Sequence, residues 1–240
     1  MSKDNLGNRM KDYEGRTRYF LPKRSYTLIR CDGKSFHTYT KGCDRPFDFG
    51  LISDMQQTTK YLCEQMNAKI GYCQSDEISI VLTDFENITT ESLFDGNLQK
   101  LCSISSSIVT SKFNQLRMIR ANSFDVKIAQ FDSRVWTVSD PWEVFNIFLW
   151  RQQDATRNSV SMVSQSLYSH KELQGKNINQ QQEMIFQKGQ NWNNYPTFCR
   201  RGTIFYKGEN GYVTDLDCPI LSQDQKYFFD KLPMIPQPSF

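Results

Sequence analysis

The chain has 240 residues, 38% hydrophobic and 23% charged, with a formal net charge of only +3: enough apolar material for one substantial core, which excludes disorder, and too little charge for a basic field over the whole surface. Seven cysteines without a CxxC pair exclude a disulfide framework or a cysteine zinc site and fit a reducing cytoplasm. The longest apolar run, VFNIFLW, is far below the roughly 18 residues of a membrane span, and the polar start MSKDNLGNRMKDYEGR has no apolar segment for export, so the expectation is a soluble, cytoplasmic protein with no membrane partner.

In chain order, SYTLIRCD (25–32) is rich in β-formers and predicts a strand ending where Asp32 and Gly33 begin a loop. Asp-Gly serves a hairpin turn equally well, but no second strand follows at once. From 49 to 67, Leu51, Met55, Leu62 and Met66 recur at helical spacing. Two strands follow, about 69–74 and 77–83, with Ser75, Asp76 and Glu77 near the bend. GNLQKLCSISSSIVTSKFNQL (96–116) predicts a second helix, with Leu98, Leu101, Ile104 and Ile108 on one side, and AQFDSRVWTVS (129–139) a further strand. The order βαββαβ predicts an α+β, ferredoxin-like unit with helices on one face of an antiparallel sheet and the other face free for a ligand. Beyond it, 141–170 reads as a long helix with Pro141 in its first turn, QQQEMIFQKG as a short helix closed by Gly189, and RGTIFYKGENGYVTD as a hairpin about an Asn-Gly turn. The division is a catalytic 1–140 and a helical and hairpin extension, 141–240, packed on it as one continuous unit.

That topology sets Asp32 and Asp76 facing each other at one end of the sheet. Two carboxylates so close resist ionisation unless a cation lies between them. Magnesium answers this, and two such ions about 3.5–4 Å apart suit phosphoryl or nucleotidyl transfer. Strand alternation turns only one of Asp76 and Glu77 toward Asp32. The expectation is Asp76, with Glu77 a supporting group or the partner of a nearby base. In DGKSFH, Gly33 allows close backbone approach, Lys34 and His37 offer polar groups, and successive amides can cradle a triphosphate. Asp-Gly and Ser-Asp-Glu are also common in solvated turns, so spacing alone leaves both readings open.

The motifs YTLIRCDGKSFHTYTKGCDRPFD, GYCQSDEISIVL, FDSRV, WRQQDATRNS and CRRGT, in this order over about 9–205, resemble those of the tRNA(His) guanylyltransferase family, and of its Thg-like 3′-to-5′ polymerase branch more than the strict guanylyltransferases. The resemblance implies a palm-like domain of polymerase and nucleotide-cyclase type, two magnesium ions on Asp32, the Gly33 carbonyl and Asp76, and catalysis by Asp32, Asp76 and Glu77. It implies that Asp32, Gly33, Lys34, Ser35, Phe36, His37, Ser75 and Asp76 line a nucleoside triphosphate, with Lys100 and Arg134 on phosphates. ATP activates a 5′-monophosphorylated RNA (or GTP does), the 3′-hydroxyl of an incoming nucleotide attacks, and pyrophosphate leaves. Arg157, Asn158 and Arg201 are the RNA contacts it suggests, tRNA is the partner, and family members are commonly tetramers. Where strict guanylyltransferases resemble DCHINNLYN, this chain has Thr156 at the His position, Asn158 at the first Asn and Ser159 at the second, which favours templated repair of truncated tRNA. Gln181, Gln182 and Glu183 replace a KNE pattern and take no role. The basic cluster Arg9, Lys11, Arg16, Arg18, Lys23 and Arg24 reads as an RNA face or a plain soluble one. Strict guanylate addition to histidine tRNA and an RNA-binding module with a degenerate site are the alternatives.

Overall fold

Apolar residues stand at successive positions in the central strands, as in Leu28-Ile29 and Ile80-Val81, so both sides of any sheet they form must be covered. The computed structural model describes residues 5–87 and 89–236. Strands β1 (Tyr26–Gly33), β2 (Ile70–Gln74), β3 (Glu77–Leu82), β4 (Phe131–Val138), β5 (Thr203–Gly208) and β6 (Gly211–Asp215) form one sheet in the order β4-β1-β3-β2-β5-β6, every neighbouring pair antiparallel. The helices are α1 (Asn5–Gly15), α2 (Phe36–Tyr39), α3 (Phe49–Met66), α4 (Leu98–Ala121), α5 (Pro141–Leu167), α6 (His170–Leu173), α7 (Ile178–Gln187), α8 (Thr197–Arg201) and α9 (Gln225–Phe229). No helix among the described residues is long and apolar enough to cross a membrane.

Alternation sorts the side chains into two cores. Ile29, Cys31, Cys73, Ile78 and Ile80 pack against Met55 and Leu62 of α3 and Val109 and Phe113 of α4. On the opposite face Tyr26, Leu28, Tyr72, Val81 and Ile204 meet Val144, Phe145 and Phe148 of α5 and Phe228 of α9. The expectation of a face left free for a ligand is therefore wrong: α5 and α9 cover its centre.

Capping side chains set the helix starts. Asp48 accepts the Leu51 N–H at 2.8 Å, Asn97 that of Lys100 at 3.0 Å, and Asp140 that of Trp142 at 2.8 Å just ahead of Pro141. α4 runs on past the expected 116 to Ala121, where Asn122 turns left-handed at φ 48°. α5 stops at Leu167 instead of 170, because Ser169 opens α6 with a capping box to Glu172. His170 is thus the exposed first residue of α6. The hairpin of the second half joins the same sheet, β5 pairing with β2 from Ile70↔Tyr206 to Cys73↔Thr203.

Candidate active site

Gln74 pairs with Glu77, so Ser75 and Asp76 form a two-residue turn between β2 and β3, with Ser75 left-handed at φ 55°. The turn folds back over the end of β1. A Cβ on Gly33 would lie 2.9 Å from the Asp76 Cβ and Oδ2 and 2.4 Å from the Phe36 ring, so only glycine lets the Asp76 carboxylate sit against this backbone. The Ser75 hydroxyl donates to Asp76 Oδ1 at 3.0 Å. Burial, chiefly, and then the Asp32 and Glu77 carboxylates push the Asp76 carboxyl up to about 6.

Glu77 departs from the expected alternation. Asp76 lies in the turn and not in a strand, while Glu77 opens β3 directly opposite Asp32, so Asp32 and Glu77 share one side of the sheet. The Glu77 carboxyl is also raised, first by burial and then by Asp32, against the opposing pull of Arg151 and Arg30. Arg151 Nη1 donates to Glu77 Oε2 at 2.8 Å, and Arg30 Nε stands 4.0 Å from the same oxygen. Glu77 is thus the partner of a base. Arg30 and Arg151 are site residues that the motif reading passed over. Arg30 was within reach, since a residue two before Asp32 must share its side of the sheet.

On the other flank of the turn a cleft of about 650 Å³ is lined by Gly33, Ser35, Phe36, His37, Ser75 and Asp76, among others, and extends to Phe47, Leu51 and the Met162 to Ser166 end of α5. Thr38 N–H and Tyr39 N–H donate to the Ser35 carbonyl and Thr40 N–H to the Phe36 carbonyl; the Phe36 and His37 amides, at the helix start, have no intrahelical acceptor. Phe36 itself is core, its ring against Tyr39, Phe113 and Phe131, which leaves its backbone for a ligand. Lys34 is exposed and donates to Gln130 Oε1 at 3.2 Å, and His37 is exposed at the cleft.

The remaining candidates scatter. Arg134 stands opposite Arg30 on the β4 edge, 3.8 Å from Asp132 and on the side of Asp32. Lys100 is exposed in the first turn of α4, the helix on the opposite side of the sheet from Asp32, and does not line the cleft. Arg157 pairs with Asp154 at 2.9 Å, and Asn158 donates to Asp154 at 3.4 Å, both on the surface of α5. Ser159 is buried, accepting from Trp192 Nε1 at 3.0 Å and donating to the Arg200 carbonyl at 3.2 Å. Arg201 ends α8, its carbonyl accepting from the Tyr72 hydroxyl and its Nε buried without a partner. Gln181 accepts from Ser164 and donates to the Lys176 carbonyl, a structural role. Of the basic cluster, Lys23 is paired with Asp95, and Arg24 and Lys23 precede β1 at the sheet end away from Asp32. Burial pushes the Cys31 thiol to about 11 and Cys73 to about 12, so these are packing groups and not nucleophiles.

The donor set fits magnesium. Asp32, the Gly33 carbonyl and Asp76 are hard oxygen ligands, and the glycine cradle brings the third against the second. Among the described residues no cluster of three or more His, Cys, Asp or Glu side chains is gathered for a metal; an ion held by one or two carboxylates plus substrate phosphates needs none.

The family model described as tRNAHis guanylyltransferase matches residues 7–139. A solved bacterial tRNA(His) guanylyltransferase-like protein in complex with ATP is 44% identical, with TM-score 0.88 over 93% of this chain and 97% of that one. Its counterpart in complex with GTP is 40% identical, with TM-score 0.80 over the same shares. The tRNA(His) guanylyltransferase of Debaryomyces hansenii is 26% identical over 90% of this chain and 85% of its own.

Proposed function

We propose, from the tRNA(His) guanylyltransferase family to which this chain belongs, that this nucleotidyltransferase adds nucleotides in the 3′-to-5′ direction to the 5′ end of truncated tRNA, following the opposite strand. The observation that carries the reading is the Asp76 carboxylate packed on Gly33 beside Asp32, at the mouth of a cleft that begins with the Gly33 to His37 turn. The sheet order β4-β1-β3-β2 is that of a ferredoxin-like βαββαβ unit, which we read as a palm of polymerase and cyclase type in 1–140, with 141–240 its cover.

Asp32, the Gly33 carbonyl and Asp76 would hold two magnesium ions, which when bound neutralise phosphate charge and ease ionisation of an attacking hydroxyl. The chain's own contribution is positioning. The Phe36 and His37 amides, which have no intrahelical acceptor, face the phosphates of ATP, GTP or another triphosphate, a reading the ATP- and GTP-bound relatives support, while Lys34, bonded to Gln130, lies outside the cleft lining. The Ser75 hydroxyl fixes the Asp76 carboxylate, and Arg151 favours the ionised form of Glu77 against the burial that raises it. The DATRNS stretch favours templated repair: Ser159 is consumed by packing against Trp192, and Thr156 bonds the Gln152 carbonyl, so neither offers the groups of the strict branch.

The test is incorporation of labelled nucleotides at the 5′ end of truncated tRNAs, with the opposite base varied. Magnesium-dependent addition that follows that base is expected, with a loss of about a hundredfold or more in Asp76→Ala. Full activity in that variant excludes the site. Guanylate added whatever the opposite base replaces this reading with strict addition, and RNA binding without pyrophosphate release replaces it with a binding module.

A further inference from the structure

Four tryptophans occur in the chain, and two on α5 are about half exposed, Trp142 at 51% and Trp150 at 49%. Their surroundings differ. Trp142 packs edge-on against Phe145 and Phe229, an ordinary margin of the core. Trp150 is surrounded by cations: the Arg151 guanidinium lies 3.6 Å from its ring centroid and that of Arg30 5.9 Å. Arg151 is itself fixed by Glu77 at 2.8 Å and Asp154 at 3.5 Å, so it holds the indole in one orientation. Arg30 Nε is buried without a hydrogen-bond partner, and exposed Arg134 stands opposite it with its nearest carboxylate at 3.8 Å.

This patch borders the reaction centre on the side away from the cleft. Arg30 precedes Asp32 by two residues on the same side of β1, about 7 Å along the strand. Neither Trp150, Arg30 nor Arg134 lines the triphosphate cleft, which meets α5 only from Met162 onward. An oriented, half-exposed indole with guanidinium groups beside it is the combination that binds single-stranded nucleic acid, the ring stacking a base and the cations following the backbone. Arg151, 3.6 Å from the ring centroid and 2.8 Å from Glu77 Oε2, links the indole to the residue that pairs with Asp32, so a base stacked at Trp150 lies beside the reaction centre.

We propose that Trp150 is the stacking platform for the terminal base of the RNA 5′ end, with Arg30 and Arg134 on its phosphates, so that RNA and triphosphate approach Asp32 and Asp76 from opposite flanks. The proposal rests on the RNA-extension reading. Its test measures the affinity of 3′-labelled, 5′-monophosphorylated truncated tRNA, intact or with an abasic 5′-terminal nucleotide, for the wild type, Trp150→Ala and Trp150→Phe, beside GTP affinity and melting temperature. Trp150→Ala weakens the intact RNA about 5- to 150-fold, leaves GTP affinity and melting temperature in place, and binds the abasic RNA as the wild type does. Trp150→Phe recovers most of the loss. Equal losses on both RNAs, or none on the intact one, overturn the platform; if Trp150→Ala melts early, Trp150→Leu takes its place in the same comparison. A wild type that binds and extends RNA while Trp150→Ala matches it sinks this inference alone, whereas a wild type that neither binds nor extends RNA sinks the functional reading and this with it.

Discussion

Asp76 is held where a carboxylate is reluctant to ionise, and its burial beside Asp32 and Glu77 has a thermodynamic signature. Its folded value of about 6 lies above the ordinary 3.8, so between these values the folded protein binds the proton more tightly than the unfolded chain. The stability contributed by the protonated group is present in full below about 4 and is lost as the pH rises through about 6. Without metal, Asp76→Asn therefore stabilises the protein at pH 7.5, by no more than about 3 kcal/mol for a shift of this size, and the gain disappears near pH 4. Asp48 and Glu86, whose carboxyls are lowered, pull the other way in acid, so the difference between wild type and variant is the quantity to read. Magnesium raises the melting temperature of the wild type at pH 7.5 and not that of Asp76→Asn. Scanning calorimetry across pH, with and without magnesium, checks all three outcomes.

The turn around α2 is fastened from below by α3 and α4. Asp54 of α3, 1% exposed, accepts from Arg117 at 2.9 Å and from Arg120 at 2.7 Å; Arg117 also lies close enough to Tyr39 to pull its hydroxyl pKa down against burial, and Lys127 bonds the Thr38 carbonyl. Removing Asp54 leaves two guanidinium groups facing each other with only the Asp48 carboxylate nearby. Asp54→Ala should cost near the low end of roughly 3–5 kcal/mol, because Arg120 is 42% exposed and stays hydrated. Since Arg117 stands beside Tyr39, whose ring stacks on Phe36 at the cleft, triphosphate affinity falls with it; urea unfolding and nucleotide titration measure the two losses. What was legible in the sequence follows the same local and distant divide. α3 and the strands around Asp76 were readable because the helical spacing of Leu51, Met55, Leu62 and Met66 and the β-forming runs on either side of the turn act locally. The stop of α5 was not, because a capping box at Ser169 competes with a pattern that otherwise continues. The alternation argument failed at Asp76, which lies in a turn, so Glu77 shares the side of Asp32, although its reading as the partner of a base fits Arg151. Lys100 needed the packing side of α4, which no spacing within that helix reveals.

The larger correction concerns the sheet as a whole. A βαββαβ order suggests an uncovered face, yet Tyr26, Leu28, Ile70, Tyr72 and Val81 turn that way and are all buried by residues beyond 140. Burying such side chains is worth about 1.5–3 kcal/mol each, more than a domain's net stability when summed over a few of them. β2 also depends on β5, without which its Ile70 to Cys73 edge has no partner on that side. The two halves accordingly share one sheet and one core, although the family model stops at 139. A fragment of residues 1–140 should aggregate or remain molten, binding a hydrophobic dye and lacking dispersed amide resonances, while the full chain unfolds in one transition. A soluble, cooperatively folded 1–140 fragment would mean that the α5 face can stand open to solvent and that the sheet does not depend on the second half for its stability.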